Sequence, residues 1–82
     1  MEKKVRTITI TVHDREKSFQ KVSEQLHSLA SNIQLRVGYP FPNMNVSVIF
    51  VIIELTNDEL GAFSGKLGQI DSVQVKSTTL KI

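Results

Sequence analysis

The hydrophobic positions of this chain change period repeatedly, and each change marks an element. Residues 5–12, VRTITITV, alternate, with Ile8, Ile10 and Val12 on one side and Thr7, Thr9 and Thr11 on the other. Period two in β-branched residues predicts a strand with one core face and one more polar face. Between 14 and 31 the spacing turns helical: Phe19, Val22, Leu26, Leu29 and Ile33 follow one stripe or its exit. Asp14 is placed to cap this helix, Glu16 lies near its positive end, and Ser31-Asn32 is placed to stop it. Residues 33–39, IQLRVGY, alternate again, setting Ile33, Leu35, Val37 and Tyr39 against Gln34, Arg36 and Gly38. The following PFPN (40–43) is expected to end the strand, because proline cannot donate to a ladder.

Residues 46–55, VSVIFVIIEL, are apolar on nearly both sides: Val46, Val48, Phe50 and Ile52 against Ile49, Val51, Ile53 and Leu55. Such a strand is central and covered on both faces. Thr56 with Glu59 three residues on is a capping-box pattern opening a second helix, whose core stripe is Leu60, Phe63, Leu67 and Ile70. Residues 72–76, SVQVK, form a last strand, and the tail STTLKI either extends it or makes a separate edge segment.

The order β-α-β-β-α-β with right-handed crossovers predicts one α+β domain over residues 1–82. It is a ferredoxin-like sandwich with a four-stranded antiparallel sheet and two helices on one face. Two helices cover only one side of that sheet. The second apolar face of the third strand is therefore expected to meet another copy or a partner protein, which predicts a homo-oligomer.

Gly61, Gly65 and Gly68 in GAFSGKLGQI (61–70) cluster opposite the core stripe of the second helix. A helix-interior glycine costs about 1 kcal/mol relative to alanine. Either the bare backbone admits a close approach by a subunit, loop or small ligand, or Gly61 lies in the first turn and Gly68 is a C-terminal cap. The latter would leave only Gly65 to explain. A phosphate-binding loop is excluded: it needs four residues between its glycines and Ser or Thr after the lysine, whereas here there are three and then Leu67.

Composition narrows the function classes. The net charge of +2 comes from basic residues interleaved with acidic ones, unlike the dense basic patch with aromatics of a nucleic-acid module. There is no cysteine, which removes thiol chemistry, disulfides and Cys-type metal sites and fits a reducing cytoplasm. The opening MEKKVRTIT lacks the apolar run of a signal peptide. The longest apolar run, VIFVII, is too short to span a bilayer.

His13 and His27 have no second ligand at metal spacing within their own elements. A metal site would need residues brought together by folding or across subunits, so no cofactor is expected. No nucleophile–base–orienter set is visible, so no enzyme activity is expected. Arg36, on the polar side of its strand, could clamp a carboxylate or phosphate, or pair with Glu54 across the hairpin.

The segments VHDREKS (12–18), LH (26–27), RVGYP (36–40), GKLGQI (65–70) and SVQVKS (72–77) resemble, in order and spacing, those of the iron-only hydrogenase system regulators. These are stand-alone domains similar to the ACT family of small-molecule sensors and to the regulatory domain of the nickel-responsive repressor. The resemblance covers nearly the whole chain. It implies an oligomer built through the sheet and a regulatory role in hydrogenase expression or maturation. The chain lacks the glycine that ACT domains often carry before helix one, the repressor's histidine-and-cysteine nickel set and any DNA-binding segment. Transcriptional control would therefore run through a partner protein. A small ligand is expected at a subunit interface near His13, Asp14, Arg15, Arg36, Gly61 and Gly65. The alternatives are a structural adaptor docking through the outer sheet face, and a metal sensor using His13 and His27.

Overall fold

In a computed structural model describing residues 2–82, the elements run β1 (Lys4–Val12), α1 (Arg15–Ser28), a 3₁₀ turn (Ala30–Asn32), β2 (Ile33–Phe41), β3 (Val46–Leu55), α2 (Asn57–Gly68) and β4 (Val73–Thr79). The strands form one antiparallel sheet in the order β2-β3-β1-β4. The helices pack over β1, β3 and β4 and leave β2 at the margin. This is the ferredoxin-like sandwich that the element order predicts.

The alternating strands and the helical stripes meet in a single core. Ile8, Ile10, Val12, Ile49, Val51, Ile53 and Leu55 from the sheet pack with Val22, Leu26, Phe63 and Leu67 from the helices, all buried. Each such side chain contributes about 1.5–3 kcal/mol through removal from water. Arg6 shares this face at 3% exposure. Its guanidinium donates to the Leu55 carbonyl (3.2 Å from Nε, 3.0 Å from Nη2), to Asn57 Oδ1 (2.9 Å) and to Thr79 Oγ1 (2.8 Å).

Both predicted helix caps form. Lys17 N–H donates to Asp14 Oδ1, and in the capping box Glu59 N–H donates to Thr56 Oγ1 while Thr56 N–H donates to Glu59 Oε1. The Thr56 N–H holds the Glu59 carboxyl below its ordinary value.

Several boundaries differ from expectation. β2 does not stop before Pro40 but runs through it to Phe41. It is an edge strand, where a missing N–H costs no ladder bond. α1 ends at Ser28, with Leu29 as its cap, before Ser31-Asn32. The Asn32 amide then donates to the Glu54 carbonyl. A bulge between Ile33 and Leu35 turns Ile33 into the core and sends Leu35, Val37, Tyr39 and Phe41 outward. Gly61 lies in the second turn of α2, and Gly68 ends the helix without a left-handed conformation, because Gln69 is the cap. The tail extends β4 to Thr79, and Leu80 N–H still donates to the Val5 carbonyl.

Candidate functional site

The turn joining β2 to β3 positions the start of α1. Asn45 adopts φ 53, a left-handed conformation that asparagine tolerates better than most residues. In that conformation its carbonyl accepts from Arg15 N–H (2.9 Å), its Oδ1 accepts from Glu16 N–H (3.3 Å) and its Nδ2 donates to Asp14 Oδ1 (3.0 Å). The first turn of α1 is therefore fastened to the hairpin. On the opposite side, Lys17 pairs with Asp71 at 2.6 Å and the buried Ser18 hydroxyl donates to the Asp71 carbonyl. The Lys17 ammonium holds the Asp71 carboxyl below its ordinary value, and Asp71 raises the lysine in return.

This fastening sets Arg15 beside β2. Its guanidinium lies over the Phe19 ring, 5.6 Å from the centroid, within cation–π range. Arg36 projects from β2 on the helix side of the sheet, opposite Val51, and its Nη2 is 3.4 Å from Ser23 Oγ. It does not pair with Glu54. Glu54 alternates onto the opposite face, so the expected cross-hairpin ion pair is replaced by this contact with α1. Because the helices stop short of β2, a cleft of about 150 Å³ remains between α1 and β2. Arg15, Phe19, Arg36, Gly38, Ser47 and Ile49 are among its lining residues. A wider recess of about 760 Å³ between the chain ends carries charges of both signs, Lys3, Lys4 and Lys81 against Glu2 and Glu54.

Of the residues singled out in the sequence, Arg15 and Arg36 border the same cleft. Asp14 flanks them and is engaged in capping. His13 turns toward β4, where Nε2 lies 2.9 Å from Gln74 Oε1. His27 sits in the last turn of α1, one 14-residue helix away from His13, about 21 Å at 1.5 Å per residue. No group of three or more metal-ligating side chains gathers among the described residues. Gly61 and Gly65 are exposed on α2, and nothing lies within 4 Å of a Cβ built on either. Phe19, Gly38 and Asn45 were not singled out as site residues. The available signals were a glycine inside an alternating strand and an asparagine at a tight turn.

The outer sheet face is the second candidate surface, and it is divided. On β2 and β3 it carries Leu35, Val37, Tyr39, Phe41, Val46, Val48, Phe50 and Ile52; on β1 and β4 it carries Thr7, Thr9, Thr11, Gln74, Lys76 and Thr78. Leu35, Val37, Tyr39 and Phe41 are 44%, 52%, 58% and 38% exposed, and the Tyr39 and Phe41 rings meet edge-to-face at 4.9 Å. No described helix is long and apolar enough to cross a membrane.

A family model described as "TM1266-like: Iron-only hydrogenase system regulator, putative" matches residues 4–77. No curated relative matches the chain. Among solved structures, the chain is similar to the uncharacterised protein TM1266 from Thermotoga maritima, with 49% identity and a TM-score of 0.92 over 98% of this chain and 100% of that one. It is also similar to an unknown protein from Galdieria sulphuraria, with 13% identity and a TM-score of 0.65 over 99% of this chain and 47% of that one. A third likeness is to a chain from the complex of the chemotaxis kinase CheA P2 domain with the response regulator CheY of Thermotoga maritima. It has 15% identity and a TM-score of 0.58 over 95% of this chain and 99% of that one. The last two bear on the fold alone.

Proposed function

The chain belongs to the TM1266-like family, and from that premise we propose that it is a non-enzymatic regulatory domain of an iron-only hydrogenase system, working in the cytoplasm as a homo-oligomer that responds to a small molecule. The observation that carries the assembly is the divided outer face. Eight apolar side chains on two neighbouring strands lie on the side of the sheet without helices, and apolar patches of this kind mark interaction surfaces. A second copy fits because the apolar half is confined to one side and meets a charge, Glu54, only toward the end of β3, so two such halves related by a two-fold axis cover each other. The cleft beside Arg15 and Arg36 serves as the effector site. The interleaved charge favours action through a protein partner over direct contact with nucleic acid.

Light scattering at tens of micromolar tests the assembly: the expected mass is a multiple of the 9.2 kDa protomer. A monomer would overturn self-association and assign the same face to a larger protein, making the chain an adaptor. Removing the gene from its host is expected to change hydrogenase activity, and unchanged activity would overturn the regulatory role.

A further inference from the structure

We infer that the seam between α1 and β2 binds a small carboxylate with a compact apolar body and no ammonium group; this rests on reading the domain as a small-molecule sensor. The cleft has a volume of about 150 Å³, a size that accommodates a ligand of roughly one benzene ring. Arg15 and Arg36 both line it, and the ion pairs among the described residues, Lys3–Glu59 and Lys17–Asp71, involve neither. Two guanidiniums without counter-ions bordering one cleft favour an anion, and their planar forks match a carboxylate. Besides the arginines the lining is Phe19, Gly38, Tyr39, Pro40, Ser47 and Ile49, mostly apolar surface that receives an apolar body better than a bare tetrahedral phosphate. No aspartate or glutamate lines the cleft, so the ammonium of an amino acid would find no counter-charge there.

Gly38 is the second observation. A glycine inside a strand weakens it and often marks a close approach by a ligand or another backbone. Here the backbone does not require glycine: φ is not positive, and an added Cβ would meet only Ile49 Cγ1, at 4.0 Å, an ordinary contact. What the missing side chain does is leave the cleft floor open.

The test is a titration of the ¹⁵N-labelled protein with benzoate, benzylamine and inorganic phosphate, following amide shifts. Benzoate is expected to saturate at millimolar concentration, with the largest shifts at Arg15, Phe19, Gly38 and Ile49, while benzylamine and phosphate do not saturate. Loss of two charge-assisted bonds in an Arg15→Gln, Arg36→Gln double variant is expected to weaken benzoate about tenfold or more. Gly38→Ala is expected to raise the melting temperature while weakening benzoate, opposite signs that a purely structural glycine would not give. Equal response to all three probes, no saturation by benzoate, or unchanged affinity in the double variant would overturn the site. Should benzoate fail while the protein self-associates and hydrogenase activity depends on its gene, only the site falls. Should benzoate saturate while the gene is dispensable, the site stands and the regulatory reading falls.

Discussion

Arg6 sits in phase with Ile8, Ile10 and Val12, so the alternation that buries those three carries its side chain inward as well. Grouped with Lys3 and Lys4 as part of a basic start, it looks like a solvated charge; its period places it in the core. The guanidinium is kept there by neutral acceptors from three elements: the end of β3, the start of α2 and the end of β4. Arg6→Met would keep most of the volume but remove every guanidinium bond; the Leu55 carbonyl stays in the ladder opposite Lys4, and water can still reach the exposed Asn57 and Thr79. A lost stability of about 1.5–3 kcal/mol is expected from the missing charged donor, read by chemical denaturation. Arg6→Lys should recover only part of it, because a single ammonium cannot reproduce the fork. A loss within ~0.5 kcal/mol, the scale of ordinary surface changes, would show that the network adds nothing.

At the scale of elements, α2 separates what its capping box and its glycines contribute. Glu59 is lowered mainly by the Thr56 N–H that it accepts from. A carboxyl lowered on folding adds stability above its unfolded value and loses it as pH falls through the folded one. Glu59→Gln keeps the hydrogen-bonding pattern of the box but cannot titrate. The melting temperature of the parent should therefore fall more steeply than that of the variant as pH drops below the ordinary carboxylate range; parallel curves would refute the linkage. Gly65 is helical and exposed, with open space around it, so Gly65→Ala should raise stability by about 1 kcal/mol. An unchanged or lower value would mean that the outward side of α2 is covered in the assembly. The elements themselves were legible wherever period and cap agreed, as in β1, β3 and α2. The misread boundaries have one physical origin each. Pro40 is harmless only on an edge strand, and strand order is not local information. The Ile33–Leu35 bulge changes which side of β2 faces the helices.

For the molecule as a whole, a β3 apolar on both faces implied a sheet covered twice, while the cleft depended on something no periodicity encodes: how far α1 reaches across the sheet. Because α1 stops short of β2, Arg36 and Gly38 border an open seam instead of packing under a helix. The same edge position leaves Leu35, Val37, Tyr39 and Phe41 open on the other side. These outer residues differ from core residues in a way that can be tested. Val37 is 52% exposed in the protomer, so Val37→Asp should leave the single chain folded. In an assembly built through the β2–β3 half, that carboxylate would be buried without a partner, a cost of several kcal/mol. Thr78 lies on the same outer face but at the far, polar edge, on β4. Val37→Asp is therefore expected to yield a folded monomer whose melting temperature no longer depends on concentration, whereas Thr78→Asp keeps the parent's mass and its concentration dependence. Dissociation by Thr78→Asp alone would move the interface to the threonine half. If both variants stay assembled, the contact lies off the sheet, and the exposed glycine side of α2 becomes the next surface to charge.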